Sequence, residues 1–324
     1  MKPKVYVSRM IPQEGLDIVR AACDTEVNAD DTPLTQEELI DKVRGKDGLL
    51  CLLTDDINEA VLGASSQLKV VANVAVGYNN IDVQAATRRK ILITNTPGVL
   101  DNTTADFTWC LLLASARRLA EAERYTRAGK YTGWGIMLLC GEDVFGKTLG
   151  VCGLGRIGRG VAKRAQGFEM RVLYTDAIQA PAEVERELGV QFVDKETLFR
   201  ESDFVTLHVP LLAETHHYVS VKELKLMKPT AHLINASRGP VVDEVALAQA
   251  LRERWIAGAG IDVYEHEPQL TAGLTELDNV TLTPHIASAS VETRNKMAVM
   301  AATSLVEALQ GRRPSNLVNP EVLG

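Results

Sequence analysis

The chain has 324 residues, enough for about two domains, and its 46% hydrophobic and 24% charged residues are typical of a globular protein. The net charge of -7 argues against nucleic acid or an anionic membrane as a partner, because both favour a basic surface. No apolar run approaches the length of a membrane span, and the five cysteines lack metal-ligand spacing. We therefore expect a cytoplasmic protein with reduced thiols and no metal site.

The first hundred residues alternate short apolar runs with helical patterns. Runs rich in Val, Ile and Leu occur at 4–8, 48–54, 68–74 and 91–95, and the last three are nearly continuous, as in strands covered on both faces. A capping box at residues 35–38 opens one of the helices between them. This alternation predicts a small α/β domain of the flavodoxin-like type, with a parallel sheet.

A long helical segment follows the stop signal T-P-G. We predict one helix from Thr103 to about Ala128, capped by Asp101 or Asn102 and running from the first domain to the second. Residues 129–146, which include Trp134, have no clear period. They are either an arm that contacts a partner subunit or an ordinary surface loop.

The second half of the chain repeats the pattern of strand and helix. Six predicted strands, near 151 and at 172–176, 203–208, 232–235, 260–263 and 280–282, indicate a doubly wound parallel sheet of the Rossmann type. The last helical segment, 291–309, is expected to pack on the first domain. We therefore predict a dinucleotide-binding domain at 101–286, inserted into a smaller substrate domain at 1–100 and 287–324.

A glycine-rich turn organises the second domain. The sequence V-C-G-L-G-R-I-G places Gly153, Gly155 and Gly158 between a strand and a helix, where a pyrophosphate can approach the helix N-terminus. Asp176 ends the next predicted strand. A carboxylate there can accept hydrogen bonds from both hydroxyls of an adenine ribose and would repel a 2′-phosphate. The motif therefore predicts NAD(H) rather than NADP(H) as the cofactor.

Candidate ligand contacts follow several predicted strands, at the edge where ligands bind to such sheets. These residues are Pro210, Ser237, Arg238, Asp262 and His285. The Arg238 guanidinium offers a planar set of donors to a carboxylate and a neighbouring carbonyl, although an arginine at a strand end is often a surface residue. Asp262 would suit the nicotinamide end of a cofactor, or it caps a loop.

His285 is the candidate for proton transfer, because an imidazole can gain and lose a proton near neutral pH. Glu267 could accept a hydrogen bond from its ring, which would fix the tautomer and favour the protonated form. The alternative for Glu267 is a solvent-exposed loop carboxylate.

Five other histidines compete with this candidate. His266 is the main rival, although its side chain need not face the same way as that of its neighbour Glu267. We expect His216 and His217 to be solvated in a polar loop. His208 and His232 lie in or beside strand runs and are expected to be core or edge residues.

Four motifs together resemble the D-isomer-specific 2-hydroxyacid dehydrogenases: V-C-G-L-G-R-I-G, N-A-S-R-G-P-V-V-D-E, G-I-D-V-Y-E-H-E-P and L-T-P-H-I-A-S. The resemblance implies a catalytic triad of Arg238, Glu267 and His285, D stereochemistry and a homodimer. It also implies that the backbone amides of N-V-A-V-G-Y, at Val76 and Gly77, bind the substrate carboxylate. The cofactor contacts expected from the motifs and the resemblance are Thr104, Gly153, Leu154, Gly155, Arg156, Ile157, Gly158, Asp176, Pro210, Ala236, Ser237, Arg238, Asp262 and His285.

Within this family the chain is most similar to the glyoxylate/hydroxypyruvate reductases. The similarity lies in C-L-L-T-D-D-I around Leu53, in G-W-G-I-M-L-L-C-G around Trp134 and in H-I-A-S, which places Ser288 near the substrate. Substrate contacts are therefore expected at Leu53, Val76, Gly77, Arg238, His285 and Ser288. The chain departs from many members at T-D-A, residues 175–177, where those that prefer NADP tend to hold the extra phosphate. This departure supports NAD.

These patterns predict an NAD-dependent D-2-hydroxyacid dehydrogenase that acts mainly as a reductase of glyoxylate or hydroxypyruvate. The same chemistry on 2-ketogluconate, pyruvate or 3-phosphohydroxypyruvate is an alternative. A different class of protein, a non-catalytic NAD sensor, is another. The presence of Arg238, Glu267 and His285 together favours the enzyme.

Overall fold

The computed structural model describes residues 1–30 and 32–323. The chain forms two compact units, Met1–Leu100 with the residues from Ala289 onward, and Asp101–Ser288. The second unit is one continuous segment that interrupts the first. Within the described residues, no helix combines the length and the apolar character needed to cross a membrane.

The strands are short, with three to five residues each. In chain order they are β1 Lys4–Val7, β2 Asp24–Val27, β3 Gly48–Cys51, β4 Val70–Asn73, β5 Leu92–Thr94, β6 Thr148–Cys152, β7 Arg171–Thr175, β8 Val190–Phe192, β9 Phe204–Leu207, β10 His232–Asn235, β11 Gly258–Ile261 and β12 Val280–Leu282.

The α-helices vary more in length, from five to 19 residues. They are α1 Gln13–Ala22, α2 Gln36–Val43, α3 Glu59–Gly63, α4 Val83–Arg88, α5 Asp101–Ala116, α6 Leu119–Arg127, α7 Arg156–Ala165, α8 Ala182–Leu188, α9 Lys195–Glu201, α10 Val221–Leu226, α11 Glu244–Arg252 and α12 Val291–Leu309.

The sheet of the first unit has the order β2-β1-β3-β4-β5, and all of its strand pairs are parallel. This is the flavodoxin-like order, so the predicted fold class is confirmed for this unit. Strands β3 and β4 are buried along their whole length, because α12 packs on one face and helices α2 to α4 pack on the other. Strand β2 was not predicted, since its sequence D-T-E-V is polar and lies at the sheet edge.

The sheet of the second unit has the order β12-β11-β10-β9-β6-β7-β8, again entirely parallel. The order in which the chain adds strands to the sheet changes direction at β6, which pairs with both β7 and β9. The predicted doubly wound Rossmann sheet is therefore confirmed. It has one strand more than predicted, the edge strand β8.

Successive residues of the central strands face two different cores, one on each side of this sheet. On β9, Phe204 packs into a core with α5 and α7, whereas Val205 packs into a core with α9 and α11. Because both faces are buried, polar groups are concentrated at the ends of the strands. The carboxyl ends therefore form the edge at which a ligand can bind.

The predicted single helix 103–128 is wrong, because two helices, α5 and α6, occupy this segment. Arg118 between them has a left-handed backbone with φ 52°. The amide of Glu142 donates to the carbonyl of Ala116 at 2.9 Å, and the Arg118 guanidinium donates to the carbonyl of Cys140 at 3.2 Å. The segment 140–142 thus donates to one terminal carbonyl of α5 and accepts from the side chain of Arg118.

Candidate active site

The glycine-rich turn connects β6 to the N-terminus of α7 in the second unit. A Cβ on Gly158 would overlap the carbonyl oxygen of Gly153, so only glycine lets α7 approach the turn this closely. A Cβ on Gly155, in contrast, would have no described heavy atom within 4 Å. The helix start, at Arg156 and Ile157, therefore faces open space that suits a pyrophosphate.

Asp176 follows β7 and is tied directly to this turn. One carboxylate oxygen accepts the amide hydrogen of Leu154 at 2.7 Å, and the other accepts that of Ala177 at 2.7 Å. A carboxylate has about four acceptor positions, so both oxygens keep capacity for ribose hydroxyls. The turn and the acidic side chain fit the adenosine diphosphate part of a dinucleotide.

The segment that carries Arg238 is shaped by the buried side chain of Asn235 at the end of β10. Its oxygen accepts hydrogen bonds from the amide and the hydroxyl of Ser237 at 3.0 and 2.8 Å, and its nitrogen donates to the carbonyl of Arg238 at 2.9 Å. A Cβ on Gly239 would overlap the backbone of Tyr264. Gly239 therefore brings the segment after β10 against the segment after β11, which carries Glu267.

Glu267 and His285 form a hydrogen-bonded pair in which Oε2 of Glu267 lies 2.9 Å from Nδ1 of His285. The second carboxylate oxygen accepts the amide hydrogen of Tyr264 at 3.0 Å. The side chains of His285 and Glu267 are 25% and 31% exposed, so a small molecule can reach them. This arrangement fixes the ring and leaves its Nε2 for a substrate.

The charges of Arg238, Glu267 and His285 interact. Burial alone would raise the pKa of Glu267. This effect is outweighed by the hydrogen bond and charge of His285, by the Tyr264 amide and by the charge of Arg238, so the net shift of the pKa is downward. Burial lowers the pKa of Arg238, and the charge of Glu267 opposes this change. Glu267 is therefore an anion, and its charge favours the charged form of Arg238.

Asp262 at the end of β11 positions the segment that carries His285. Its carboxylate is fully buried and accepts hydrogen bonds from the hydroxyl of Thr283 at 2.7 Å and from the amides of Ile286 and Ala287, each at 2.8 Å. Burial raises its pKa, and these hydrogen bonds oppose the shift. The loop-capping interpretation thus describes what Asp262 does. One acceptor position on the carboxylate is left, and a cofactor contact there stays a prediction.

Four of the other histidines have surroundings that do not suit proton transfer. His232 is buried at the amino end of β10, 2.8 Å from the hydroxyl of Ser115, and burial lowers its pKa to about 4. Burial also lowers the pKa of His208 to about 4. His216 and His266 are exposed, as expected for His216. His217 is not simply solvated, since its Nε2 lies 2.6 Å from Oε1 of Glu265.

The first unit contains the predicted substrate amides, in the segment after β4. The side chain of Asn95 donates to the carbonyl of Val76 at 2.8 Å, and that of Asn73 donates to the carbonyl of Gly77 at 3.1 Å. Among residues 1–30 and 32–323, the amide hydrogens of Val76 and Gly77 have no acceptor. With the carbonyls held by asparagines, both amides are left to bind an anion.

Asn80 connects this segment to the one that carries Leu53. Its nitrogen donates to the carbonyls of Leu52 and Asp55 at 3.1 and 3.0 Å, and its oxygen accepts from Asn73 at 3.1 Å. The roles of Asn73 and Asn80 were not predicted from the sequence, although Asn73 opens the motif N-V-A-V-G-Y and Asn80 lies two residues after it.

The remaining predicted residues lie in less distinctive surroundings. Thr104 is buried in α5, where its carbonyl accepts from the hydroxyl of Thr108. Pro210 is exposed, and its carbonyl accepts from the hydroxyl of Thr215 at 2.6 Å. Ala236 and Ser288 are partly buried. Their cofactor and substrate contacts stay predictions.

Comparison with known proteins points to one family. The model for the NAD binding domain of the D-isomer specific 2-hydroxyacid dehydrogenases matches residues 109–287. A glyoxylate reductase of Korarchaeum cryptofilum is 51% identical, over 100% of this chain and 98% of that protein. A crystal structure of a Thermus thermophilus protein has a TM-score of 0.91 and 41% identity, over 97% of this chain and 99% of that one.

A second solved structure bears on the cofactor. It is the NADPH-dependent glyoxylate/hydroxypyruvate reductase of Sinorhizobium meliloti, in complex with NADP and malonate. Its TM-score is 0.86 and its identity 32%, over 98% of this chain and 97% of that chain.

Proposed function

We propose, on the premise that this chain belongs to the D-isomer specific 2-hydroxyacid dehydrogenase family, that it reduces glyoxylate and hydroxypyruvate with NADH. Membership makes it an oxidoreductase that interconverts a 2-hydroxyacid and a 2-oxoacid. The observation that carries the proposal is the hydrogen bond of 2.9 Å between His285 and Glu267, on the unit that contains the dinucleotide turn. The name of the Korarchaeum relative supports glyoxylate as a substrate.

The catalytic residues have distinct tasks in this proposal. Arg238 binds the carboxylate and the C2 carbonyl oxygen of the substrate through its planar donors, and its charge stabilises the negative charge that develops on that oxygen. His285 donates a proton from Nε2 to the same oxygen. Glu267 keeps the ring in place and fixes its tautomer. The reduced nicotinamide supplies the hydride.

In the first unit, the amides of Val76 and Gly77 are the anion site that we propose for a 2-oxoacid. Asn73 and Asn95 hold the two carbonyls, so these amides are oriented before a substrate arrives. Glyoxylate and hydroxypyruvate are small 2-oxoacids that need little more than this anion site and a carbonyl contact.

The preference for NADH rests on Asp176. A 2′-phosphate would bring about two negative charges close to its carboxylate, whereas ribose hydroxyls can donate to its free acceptor positions. The Sinorhizobium relative is NADPH-dependent, so this preference is a property of individual members.

A homodimer is the oligomer that we propose. Trp134, Ile136 and Met137 are 80%, 73% and 79% exposed, and α6 buries no side chain against the described part of the chain. Such an apolar surface is costly to leave in water, and a second copy would cover it. The five cysteines are free thiols, which supports the cytoplasm as the compartment.

A crossed initial-rate assay tests the proposal. NADH and NADPH are each combined with glyoxylate, hydroxypyruvate, pyruvate and 2-ketogluconate, and kcat/KM is compared. We expect NADH with glyoxylate or hydroxypyruvate to give the highest value. A highest value with NADPH would contradict the role of Asp176, and a highest value with 2-ketogluconate or pyruvate would contradict the substrate.

A further inference from the structure

We propose that His216, His217 and Glu265 form a binding site for a divalent transition-metal ion, Zn²⁺ above all. One ligand atom from each of the three side chains lies within 4.8 Å of the other two. His216 is exposed, and His217 and Glu265 are partly buried. The group shares no residue with the pair His285 and Glu267, so the proposal does not depend on the proposed function.

The backbone at His217 places two consecutive imidazoles on the same side of the chain. His216 has an extended conformation, with φ -64° and ψ 127°, whereas His217 has a left-handed φ of 51°. Successive side chains of an extended segment point in opposite directions, and a left-handed residue interrupts this alternation. The two ring centroids consequently lie 4.1 Å apart, with the ring planes tilted by 31°.

Two of the three ligands are held in place by backbone hydrogen bonds. The amide of His217 donates to the carbonyl of Pro240 at 2.8 Å. The amide of Glu265 donates to the carboxylate of Glu244 at 2.7 Å, and Glu244 is buried. His217 and Glu265 are thus preorganised, and a bound ion would have to order only the exposed ring of His216.

The donor set suits zinc. Two imidazole nitrogens and one carboxylate oxygen are the protein ligands of many zinc sites that keep a fourth position for water. With bonds of about 2.1 Å and tetrahedral angles, neighbouring ligand atoms are about 3.4 Å apart. His217 Nε2 and Glu265 Oε1 are 2.6 Å apart, so they would separate slightly as the ion replaces the hydrogen between them.

The three ligands come from two loops at the carboxyl edge of the same sheet. The histidines follow β9, and Glu265 follows β11 in the segment that also carries Glu267. A bound ion would therefore connect these loops and stabilise the folded state by mass action. No sequence spacing predicts the site, because Glu265 is far along the chain from the histidines.

Isothermal titration of the tag-free full chain with zinc chloride tests the proposal. The decisive variant is His216→Ala, since its side chain is exposed and its removal should not affect folding. His266→Ala is the matched control, because His266 is an exposed histidine next to Glu265 that is outside the group. We expect one ion per chain in the wild type and in H266A, and binding at least tenfold weaker in H216A.

Thermal unfolding gives a second readout. Zinc should raise the Tm of the wild type and of H266A, and it should raise the Tm of H216A less, while all three have similar Tm values in the presence of a chelator. Equal zinc affinity in H216A and the wild type would overturn the proposal. Binding that is lost in His285→Ala but kept in H216A would place the ion on the catalytic pair and would overturn it as well.

Discussion

The imidazole of His285 is held by the carboxylate of Glu267, with 2.9 Å between Nδ1 and Oε2. Glu267 is fixed in turn, because its other oxygen accepts the amide hydrogen of Tyr264 at 3.0 Å. The segment around His285 is held separately by Asp262, through the amides of Ile286 and Ala287. Two independent sets of hydrogen bonds therefore determine where the proposed proton donor lies.

Replacing the proton donor should abolish most of the activity and leave the cofactor site intact. For His285→Ala we expect kcat to fall by about 10²- to 10⁴-fold, the usual contribution of general acid catalysis, with little change in NADH affinity. Steady-state rates and NADH fluorescence titration measure the two effects. The control is His266→Ala. Turnover by H285A at the wild-type rate would remove His285 from the mechanism.

Acid should reduce the contribution of Glu267 to stability. Its pKa is lowered in the folded state from an ordinary value of 4.5, so its charge stabilises the fold above that pH. This contribution is lost as the pH falls through the lowered pKa. We expect the free energy of unfolding of the wild type to fall towards that of Glu267→Gln as the pH falls below the ordinary value of 4.5. Urea unfolding at several pH values measures the difference. A pH-independent difference would contradict the charged state of Glu267.

Removing the charge of Asp176 should relax the discrimination against NADPH. In Asp176→Asn the side-chain oxygen can still accept the Leu154 amide, but the repulsion of a 2′-phosphate is gone. We expect the ratio of kcat/KM for NADPH to that for NADH to rise at least tenfold, mainly through KM. Initial rates with both cofactors measure it. An unchanged ratio would show that cofactor preference resides elsewhere.

Asn80 should matter for substrate binding through the two segments that it connects. In Asn80→Ala the carbonyls of Leu52 and Asp55 lose their donor, and Asn73 loses an acceptor. We expect the KM for the 2-oxoacid to rise about tenfold, with a smaller change in kcat and no change in NADH affinity. The reason is that the substrate-binding segments would no longer be held in place before the substrate binds. Asn28→Ala, which removes a similar bond to the carbonyl of Ser8, is the control. Equal KM values in N80A and N28A would contradict this role.

The exposed apolar segment should determine the oligomeric state. We expect the double variant Ile136→Asp/Met137→Asp to elute as a monomer, since two charges would have to be buried in the proposed interface. Size-exclusion chromatography with light scattering measures the mass. Val245→Asp, at another exposed apolar side chain of the same unit, should leave the dimer intact. A wild type that is monomeric at micromolar concentration would contradict the dimer.

The sheets could be predicted from the sequence because their central strands are buried on both faces. The run G-L-L-C has no strongly polar residue and V-V-A-N has only Asn73 at its end, as is typical of parallel strands covered on both faces. Strands β2 and β8 lie at sheet edges, where half-exposed polar residues such as those in D-T-E-V hide the pattern. The break at Arg118 is accompanied by hydrogen bonds with residues 140–142, which no local sequence pattern reveals.

The candidate residues could be chosen from the sequence, whereas the contacts between them could not. The strand ends and motifs led to Arg238, Glu267 and His285, because a parallel sheet brings the carboxyl ends of its strands to one edge. Which oxygen accepts which hydrogen depends on side-chain directions, and these follow from tertiary packing. The contact between Gly239 and Tyr264 and the pair of His217 with Glu265 are of this kind.

The hydrogen bond from the Leu154 amide to Asp176 gives one side chain two tasks. The carboxylate to which we attribute the preference for NADH also accepts the amide hydrogen of Leu154 in the glycine-rich turn. An evolutionary change of Asp176 to a small apolar residue would alter the conformation of the turn together with the proposed cofactor preference. A lineage that changes its cofactor therefore needs, at position 176, a side chain that still accepts a hydrogen bond from the Leu154 amide. Otherwise it needs a second substitution that supplies this acceptor.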